Sequence, residues 1–200
     1  RYWDIRHGDF KISVDLENDS ENLDAVLRKE YFSDLNRNIA TMDGVRNVFT
    51  YATLPAEFST SNDVADETLL MGYNEKDMDS LTTAIVSGNI TENTELIVSD
   101  PDRVYDVYHW KPQIGNTVTF NFKNNSGKTI TKTFKIGAIT SSNDGMGGYI
   151  FRMPEKMMHE LVGYDCTYAI EVQTEPESIQ EAENKIRSLI AGNDEVSLQT

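Results

Sequence analysis

The sequence predicts an α+β protein of two subdomains. One is a split β-α-β pair, a four-stranded sheet with two helices, built from both chain ends. The other is a β-rich subdomain inserted between them. Three observations lead there. The order strand, helix, glycine, strand occurs near residues 10–52 and again near 168–198. The intervening chain is dominated by period-two alternation and turn residues. A two-stranded unit is marginal by itself, so the two ends gain stability by sharing one sheet. The expected boundaries are 1–59 plus 165–200 for the first subdomain and 60–164 for the second. In that arrangement the first and last residues belong to one unit, as suits a domain inserted between two elements of a host.

At the N-terminal end, Phe10, Ile12, Val14 and Leu16 alternate with polar residues, the period of a half-buried strand. Asp19 and Ser20 are N-cap candidates for a helix whose apolar positions are Leu23, Val26, Leu27, Tyr31, Leu35 and Ile39. Gly44 is expected as its C′ residue, and a strand over 45–52 should be closed by Pro55. At the other end, 168–172 reads as a strand. Thr174 and Glu177 have the T-x-x-E spacing of a capping box, with Pro176 in the first turn. Ile179, Ala182, Ile186, Leu189 and Ile190 then form one helical face, Gly192 ends it, and 195–198 reads as a strand.

In the middle, 67–73 reads as a strand, 75–83 as a short helix, and Gly88 with Asn89 as a turn. A strand is expected at 96–98 and a helix over 102–109, stopped by Pro112. Val118, Phe120 and Phe122 alternate before the turn Asn124-Asn125-Ser126-Gly127, and Ile130, Phe134 and Ile136 alternate after it: the strongest hairpin signal in the chain. A polar, Gly-rich mobile loop follows over 141–148, then a strand over 149–153 and a helix started by Pro154.

Charge and composition narrow the function. With 18 Lys+Arg against 33 Asp+Glu, the formal net charge is -15, which repels phosphate backbones and argues against nucleic-acid binding. The same charge suits solubility outside a cell and attraction to cationic peptides. No run approaches the roughly 18 apolar residues of a membrane span. The chain begins Arg1-Tyr2-Trp3-Asp4, without an initiator Met or signal peptide, and reads as a segment of a longer polypeptide. One cysteine, Cys166, cannot form an internal disulfide and reads as a small buried residue rather than a nucleophile.

No catalytic, cofactor-binding or metal-binding residue is assigned. His7, His109 and His159 share no ligand spacing. Asp100, Asp102 and Asp106 only faintly match a calcium loop, because Val104 and Tyr105 stand where a ligand and a glycine are needed; the stretch reads as a Pro-turn and helix N-terminus. The run 143–148 lacks the lysine and order of a phosphate cradle. Met153, Met157 and Met158 beside Phe151 read as core filling before contact patch. The sequons at Asn18, Asn89 and Asn124 are chance matches in an Asn-rich chain.

The order of segments nevertheless resembles one family: the extracytoplasmic domain of MacB-like and FtsX-like ABC-transporter permeases. The resemblance is carried by Gly8-Asp9-Phe10-Lys11-Ile12, Met42-Asp43-Gly44-Val45, the stretch 81–88, Glu95-Leu96-Ile97-Val98 and Ile114-Gly115-Asn116-Thr117-Val118. It continues in Thr133-Phe134-Lys135-Ile136-Gly137-Ala138-Ile139 and in 149–154. It implies a porter-like subdomain from both ends and a sabre-like insert. It implies transmembrane helices flanking the domain, a cytoplasmic ATPase subunit or domain, and a permease homodimer or heterodimer in the cell membrane. The domain itself would be a non-enzymatic lever on the extracellular or periplasmic face, gripping a peptide or lipid-linked substrate or a partner. A second reading is an extracellular ligand-binding or sensor module of a membrane receptor; a secreted two-carboxylate hydrolase ranks third.

Overall fold

Residues 8–14 and 30–200 are described by the structure, a computed structural model, and together they form a mixed α+β fold. In chain order the elements begin with β1 (Phe10–Ser13), α1 (Tyr31–Ala40), β2 (Val45–Thr60), β3 (Ala65–Tyr73), α2 (Met78–Thr83), β4 (Ile85–Gly88) and β5 (Leu96–Ser99). There follow α3 (Pro101–Tyr108), β6 (Thr117–Lys123), β7 (Thr129–Thr140), β8 (Phe151–Pro154), α4 (Glu155–Val162), β9 (Thr167–Thr174), α5 (Ile179–Ile190) and β10 (Ser197–Gln199). The chain divides into a unit of Arg1–Ala52 with Asp165–Thr200 and a unit of Thr53–Tyr164.

In the first unit the strand order is β10-β1-β9-β2, with every neighbour antiparallel. Hydrophobic alternation sets the register: Phe10 faces Val172, Ile12 faces Ile170, and Val48 continues the row beside Val172. Phe32, Leu35 and Ile39 of α1 are buried, and α1 packs on β9. Asp9 fixes the end of β9 by accepting the Thr174 N–H at 2.9 Å and its hydroxyl at 3.0 Å. The opposite parity is buried too. Lys11 is 4% exposed, Ala169 and Glu171 are wholly buried, and the Lys11 ammonium stands 5.3 Å over the Tyr51 ring.

The second unit closes on itself. Its hydrogen-bonded neighbours run β2-β3-β8-β5-β7, and β6 pairs with both β7 and β2. Six strands therefore form a ring without a free edge, a small barrel. β3 and β8 are parallel, as are β5 and β7; β8–β5, β6–β7 and β2–β6 are antiparallel. Rings from strands that are not neighbours meet inside it: Phe58 of β2 is 4.8 Å from Phe151 of β8, and Phe151 is 5.1 Å from Phe120 of β6. On the neighbouring strand β7, Phe134 lies 6.1 Å from Phe120 in a tilted arrangement. The two edge-to-face pairs each add about 0.5–1.5 kcal/mol beyond area burial. β4 lies outside the ring, on the end of β7. A satellite cluster of Tyr73, Leu81, Ile97 and Ala138 is covered by Met78, Ile90 and Met146.

The hairpin β6–β7, the strands at 67–73 and 96–98, and the helices after Pro101 and Pro154 lie where the sequence places them. Several expectations are corrected. Pro55 does not end β2, which runs to Thr60. Pairing with β9 stops at Ala52 and pairing with β6 starts at Glu57, so the missing N–H of Pro55 falls between the two ladders. Thr174 and Glu177 make no capping box; the Thr174 hydroxyl is spent on Asp9, and a 3-10 turn over Pro176–Ser178 leads into α5. That helix buries Ala182 and Ile186 but leaves Ile179 and Leu189 exposed.

Thr41, not Gly44, caps α1. Gly44 sits in the following turn with φ +82°, where a Cβ would lie 2.3 Å from Ser178 Cβ. Gly88, expected in a turn, closes the short strand β4. His109, in the left-handed region at φ +53°, ends α3 before Pro112 is reached. Leu16, Asp19, Ser20, Leu23, Val26 and Leu27 lie outside the described residues.

Candidate functional site

Two features of the barrel unit concentrate polar chemistry. The first is the Gly-rich segment after β7. Arg152 alternates with Phe151 and Met153, so it projects away from the aromatic interior, yet it is wholly buried. The segment 141–150 covers it. Both ends of that segment are fastened to Ser99: the Ser99 N–H donates to the Ile150 carbonyl at 2.7 Å, and its hydroxyl donates to the Ser141 carbonyl at 3.2 Å. A loop whose ends are held together in this way is an Ω-loop.

Its centre is an ion pair with no exposure on either side. Arg152 Nε donates to Asp144 Oδ2 at 2.9 Å and Nη2 to Oδ1 at 3.2 Å. Nη2 also donates to the Gly147 carbonyl at 3.0 Å, and Nη1 donates to the Tyr149 carbonyl. Asp144 further accepts the Thr140 hydroxyl at 2.9 Å and the Met146 N–H at 3.1 Å. Burial alone would raise the Asp144 carboxyl. The hydrogen bonds and charge of Arg152, joined by Met146 and Thr140, outweigh it and hold the group below the ordinary carboxylate value. The segment expected to be a mobile loop is therefore held from within, because a buried guanidinium needs a carboxylate and carbonyl partners. From outside, Arg103 Nη1 of α3 donates to the Gly148 carbonyl at 2.5 Å.

The second feature is a groove of about 500 Å3. It is lined by residues of the 88–95 connection, by Ile114, and by Lys135 and Gly137 of β7. The connection has a defined shape. Thr94 Oγ1 accepts the Thr91 N–H at 2.8 Å, Thr91 Oγ1 accepts the Asn93 N–H at 3.2 Å, and Glu95 Oε2 accepts the Lys135 N–H at 2.9 Å. Gly88 has φ +75°, and a Cβ there would lie 2.3 Å from the Gly137 carbonyl oxygen. Ile114 is 43% exposed at the lip.

The residues weighed from sequence fall elsewhere. Cys166 is wholly buried. His7 is outside the described residues; His109 sits edge-on to the Tyr105 ring at 5.9 Å, and His159 Nε2 is 3.9 Å from Glu155 Oε1. Among the described residues no three His, Cys, Asp or Glu side chains converge on a metal position. Asp100 caps α3, accepting the Arg103 N–H at 3.4 Å, with Pro101 at the first helical position. Phe151, Met153 and Met158 are buried as core, while Met157 is half-buried. Asn124 shapes its turn by accepting from Ser126 and Lys128; Asn89 lines the groove; Asn18 is outside the described residues.

No family model and no curated protein matches the sequence. Solved structures do match the fold. The periplasmic region of MacB from Actinobacillus actinomycetemcomitans is 13% identical with a TM-score of 0.52, over 96% of this chain and 87% of that one. The extracellular domain of the noncanonic ABC-type transporter YknZ from Gram-positive bacteria is 14% identical with a TM-score of 0.51, over 96% of this chain and 99% of that one. At these identities the likeness is one of fold. Among the described residues no helix is long and apolar enough to cross a membrane.

Proposed function

We propose that this chain is the extracytoplasmic domain of an ABC-transporter permease. The observation that carries the reading is a fold shared over 96% of the chain with a periplasmic and an extracellular transporter domain. In this reading, transmembrane helices of the same polypeptide flank the domain on the outer face of the cell membrane. A cytoplasmic ATPase supplies the energy, and the permease works as a homodimer or heterodimer. The domain is non-enzymatic. Its porter-like subdomain (1–59 plus 165–200) moves with the membrane helices, and the sabre-like insert (60–164) follows, gripping a peptide or lipid-linked substrate or a partner.

The antiparallel order β10-β1-β9-β2 supports the porter-like assignment, because it places strands from both chain ends side by side. The closed ring of the second unit supports a lever function: a barrel without a free edge transmits displacement with little internal deformation.

The reading frame tests the membrane context. Apolar spans of about 20 residues should abut both ends, with an ATPase encoded in the same frame or beside it. A frame encoding a free-standing protein overturns the reading. The lever is tested in the full-length permease with its ATPase in liposomes, with spin labels at the exposed positions Lys132 and Asn184. ATP should shift the label-to-label distance distribution; an unchanged distribution removes the lever.

A further inference from the structure

The net charge of -15 hides a reversal of sign within the barrel. Between Asp106 and Asp144 the chain has five lysines, no arginine and no Asp or Glu, although the whole sequence has 33 acidic residues. Four of those lysines belong to the β6–β7 ribbon and its turn, and all four are exposed. Val118, Phe120 and Phe122 are buried, so the alternate residues of β6, from Thr117 to Lys123, point outward, and their register partners on β7 share that face. Lysines stand at both of its ends. Lys123 lies beside the turn that carries Lys128, and Lys135 faces Thr117 at the other end, about 20 Å along the strand. Between them the face is hydroxyl and amide: Thr119 and Thr133 share a 2.8 Å bond, and Thr131 donates to Asn121 at 2.6 Å. Glu95 accepts from the Lys135 N–H, so the turn end is the more cationic. The turn has a fixed shape. Asn124 Oδ1 accepts the Ser126 and Lys128 N–H groups, each at 3.0 Å, and the Asn125 N–H donates to the Val162 carbonyl of α4 at 2.9 Å.

The surroundings narrow the partner. β2 adjoins β6 with Glu57 opposite Asn121, and no Lys or Arg occurs between Arg46 and Lys76. Glu57, Asp66 and Glu67 are exposed. A broad anionic surface, such as a bilayer or a nucleic-acid duplex, would reach across the ribbon and meet these carboxylates; a single linear chain lying along the ribbon would not. At physiological salt, charges more than about 8 Å away are largely screened, so the rest of the acidic surface opposes such a chain only weakly. Phe120, Phe122 and Phe134 are buried and give no stacking platform for the bases of a single strand. Among the described residues the ribbon exposes no Arg and no aromatic ring, the groups that anchor protein partners. An acidic polypeptide would also freeze a flexible side chain at each contact, whereas a phosphate polymer carries its charge in the chain itself.

We infer that the outward face of β6–β7 docks a linear polymer with phosphate in its backbone and no bases, lying from Lys123 and Lys128 toward Lys135. The total charge predicts repulsion of any such chain, but the local arrangement reverses the sign where the polymer would lie. The contact is spread along the ribbon and needs no pocket, because a polyelectrolyte is held by the release of its counterions. The inference concerns the barrel alone and does not need the permease reading, so the two can fail separately.

The test is a nuclear magnetic resonance titration of the 200-residue chain with inorganic polyphosphate, read at the backbone amides of 117–135. Polyglutamate of matched charge and vesicles of phosphatidylglycerol are the comparison arms. Saturable shifts confined to the ribbon and its turn are expected with polyphosphate, and affinity should fall at least about tenfold between about 50 and about 200 mM salt. Lys123→Glu with Lys128→Glu should weaken binding about tenfold or more. Lys123→Gln with Lys128→Gln leaves the backbone bonds of the turn in place and should weaken it about threefold or more, which covers the case in which reversed charges disturb the fold. The control is Lys185→Glu with Arg187→Glu on α5, which changes the net charge as much as the reversed pair and should alter binding by less than about twofold. The absence of saturation by polyphosphate, shifts that do not localise to 117–135, or equal losses in the control and the ribbon variants would each overturn the inference. Tighter binding of polyglutamate or of the vesicles also overturns it, in favour of an acidic polypeptide or a membrane.

Discussion

Replacing Asp144 by alanine removes one half of a pair whose side chains are both at 0% exposure. Two guanidinium bonds lose their acceptor, those from Nε and from Nη2 to the carboxylate, while the carbonyls of Gly147 and Tyr149 remain. Thr140 and the Met146 N–H lose theirs as well. Breaking a buried pair from one side costs about 3–5 kcal/mol, because the surviving charge stays buried without compensation. For a chain of this length that corresponds to a fall in melting temperature of roughly 6–20 °C.

The assay is thermal unfolding followed by calorimetry and circular dichroism, with Arg152→Met and the double variant beside it. The double variant should be less damaged than the sum of the singles by roughly 3 kcal/mol, since it buries no unpaired charge. The acid limb gives a second reading. The Asp144 carboxyl is depressed in the folded state, so its stabilisation is fully present above the unfolded value, about 3.9, and is lost as pH falls through the lower folded value. Asp144→Asn should therefore flatten the stability–pH curve below about pH 4. A cost for Asp144→Ala under about 1 kcal/mol, or strictly additive singles, would refute the argument that the loop is held by this pair.

Other substitutions probe the remaining architecture. Phe151→Ala should cost about 3–5 kcal/mol, because its ring meets both Phe58 and Phe120 inside the barrel; a loss under about 1.5 kcal/mol in urea unfolding would show that the ring is not the core. Gly44→Ala should lower the melting temperature, at a cost of about 1–3 kcal/mol, since a positive φ and a 2.3 Å approach to Ser178 both oppose a Cβ; Gly44→Ala combined with Ser178→Gly should recover part of it. Tyr73→Phe should leave stability unchanged or raise it by up to about 1 kcal/mol. The Tyr73 hydroxyl is buried without a partner among the described residues, and burial pushes its pKa up to about 12; a clear loss of stability would reveal an unrecognised bond. Asp9→Ala should cost about 1–2 kcal/mol by orphaning the N–H of Thr174, read as faster amide exchange at that residue; unaltered exchange would contradict it.

Local pattern was enough for elements whose partner lies close in sequence. The β6–β7 hairpin is joined by a turn whose Asn124 side chain closes it, and Pro101 and Pro154 announce the helices that follow them. Closure of the barrel was not legible. It depends on β3 lying parallel to β8 and on β6 reaching back to β2, pairings that no turn specifies. Pro55 misled because its cost depends on which neighbour would have received the missing N–H. The Asp144–Arg152 pair left one overlooked trace: an arginine inside the apolar run 149–153, which implies a nearby carboxylate once that run is taken as a buried strand. The groove left none, since Asn89, Asn93, Glu95 and Lys135 resemble any other surface residues until β4, β5 and β7 are assembled.

The placement of β1 beside β9 has a consequence for biosynthesis. Residues 53–164 are complete before the ribosome has made β9, so the barrel can fold on the nascent chain while β1, α1 and the start of β2 still wait for their central strand. Released chains truncated near residue 164 should therefore resist protease over the barrel and be cut readily within α1, and only the complete polypeptide should be resistant at both places.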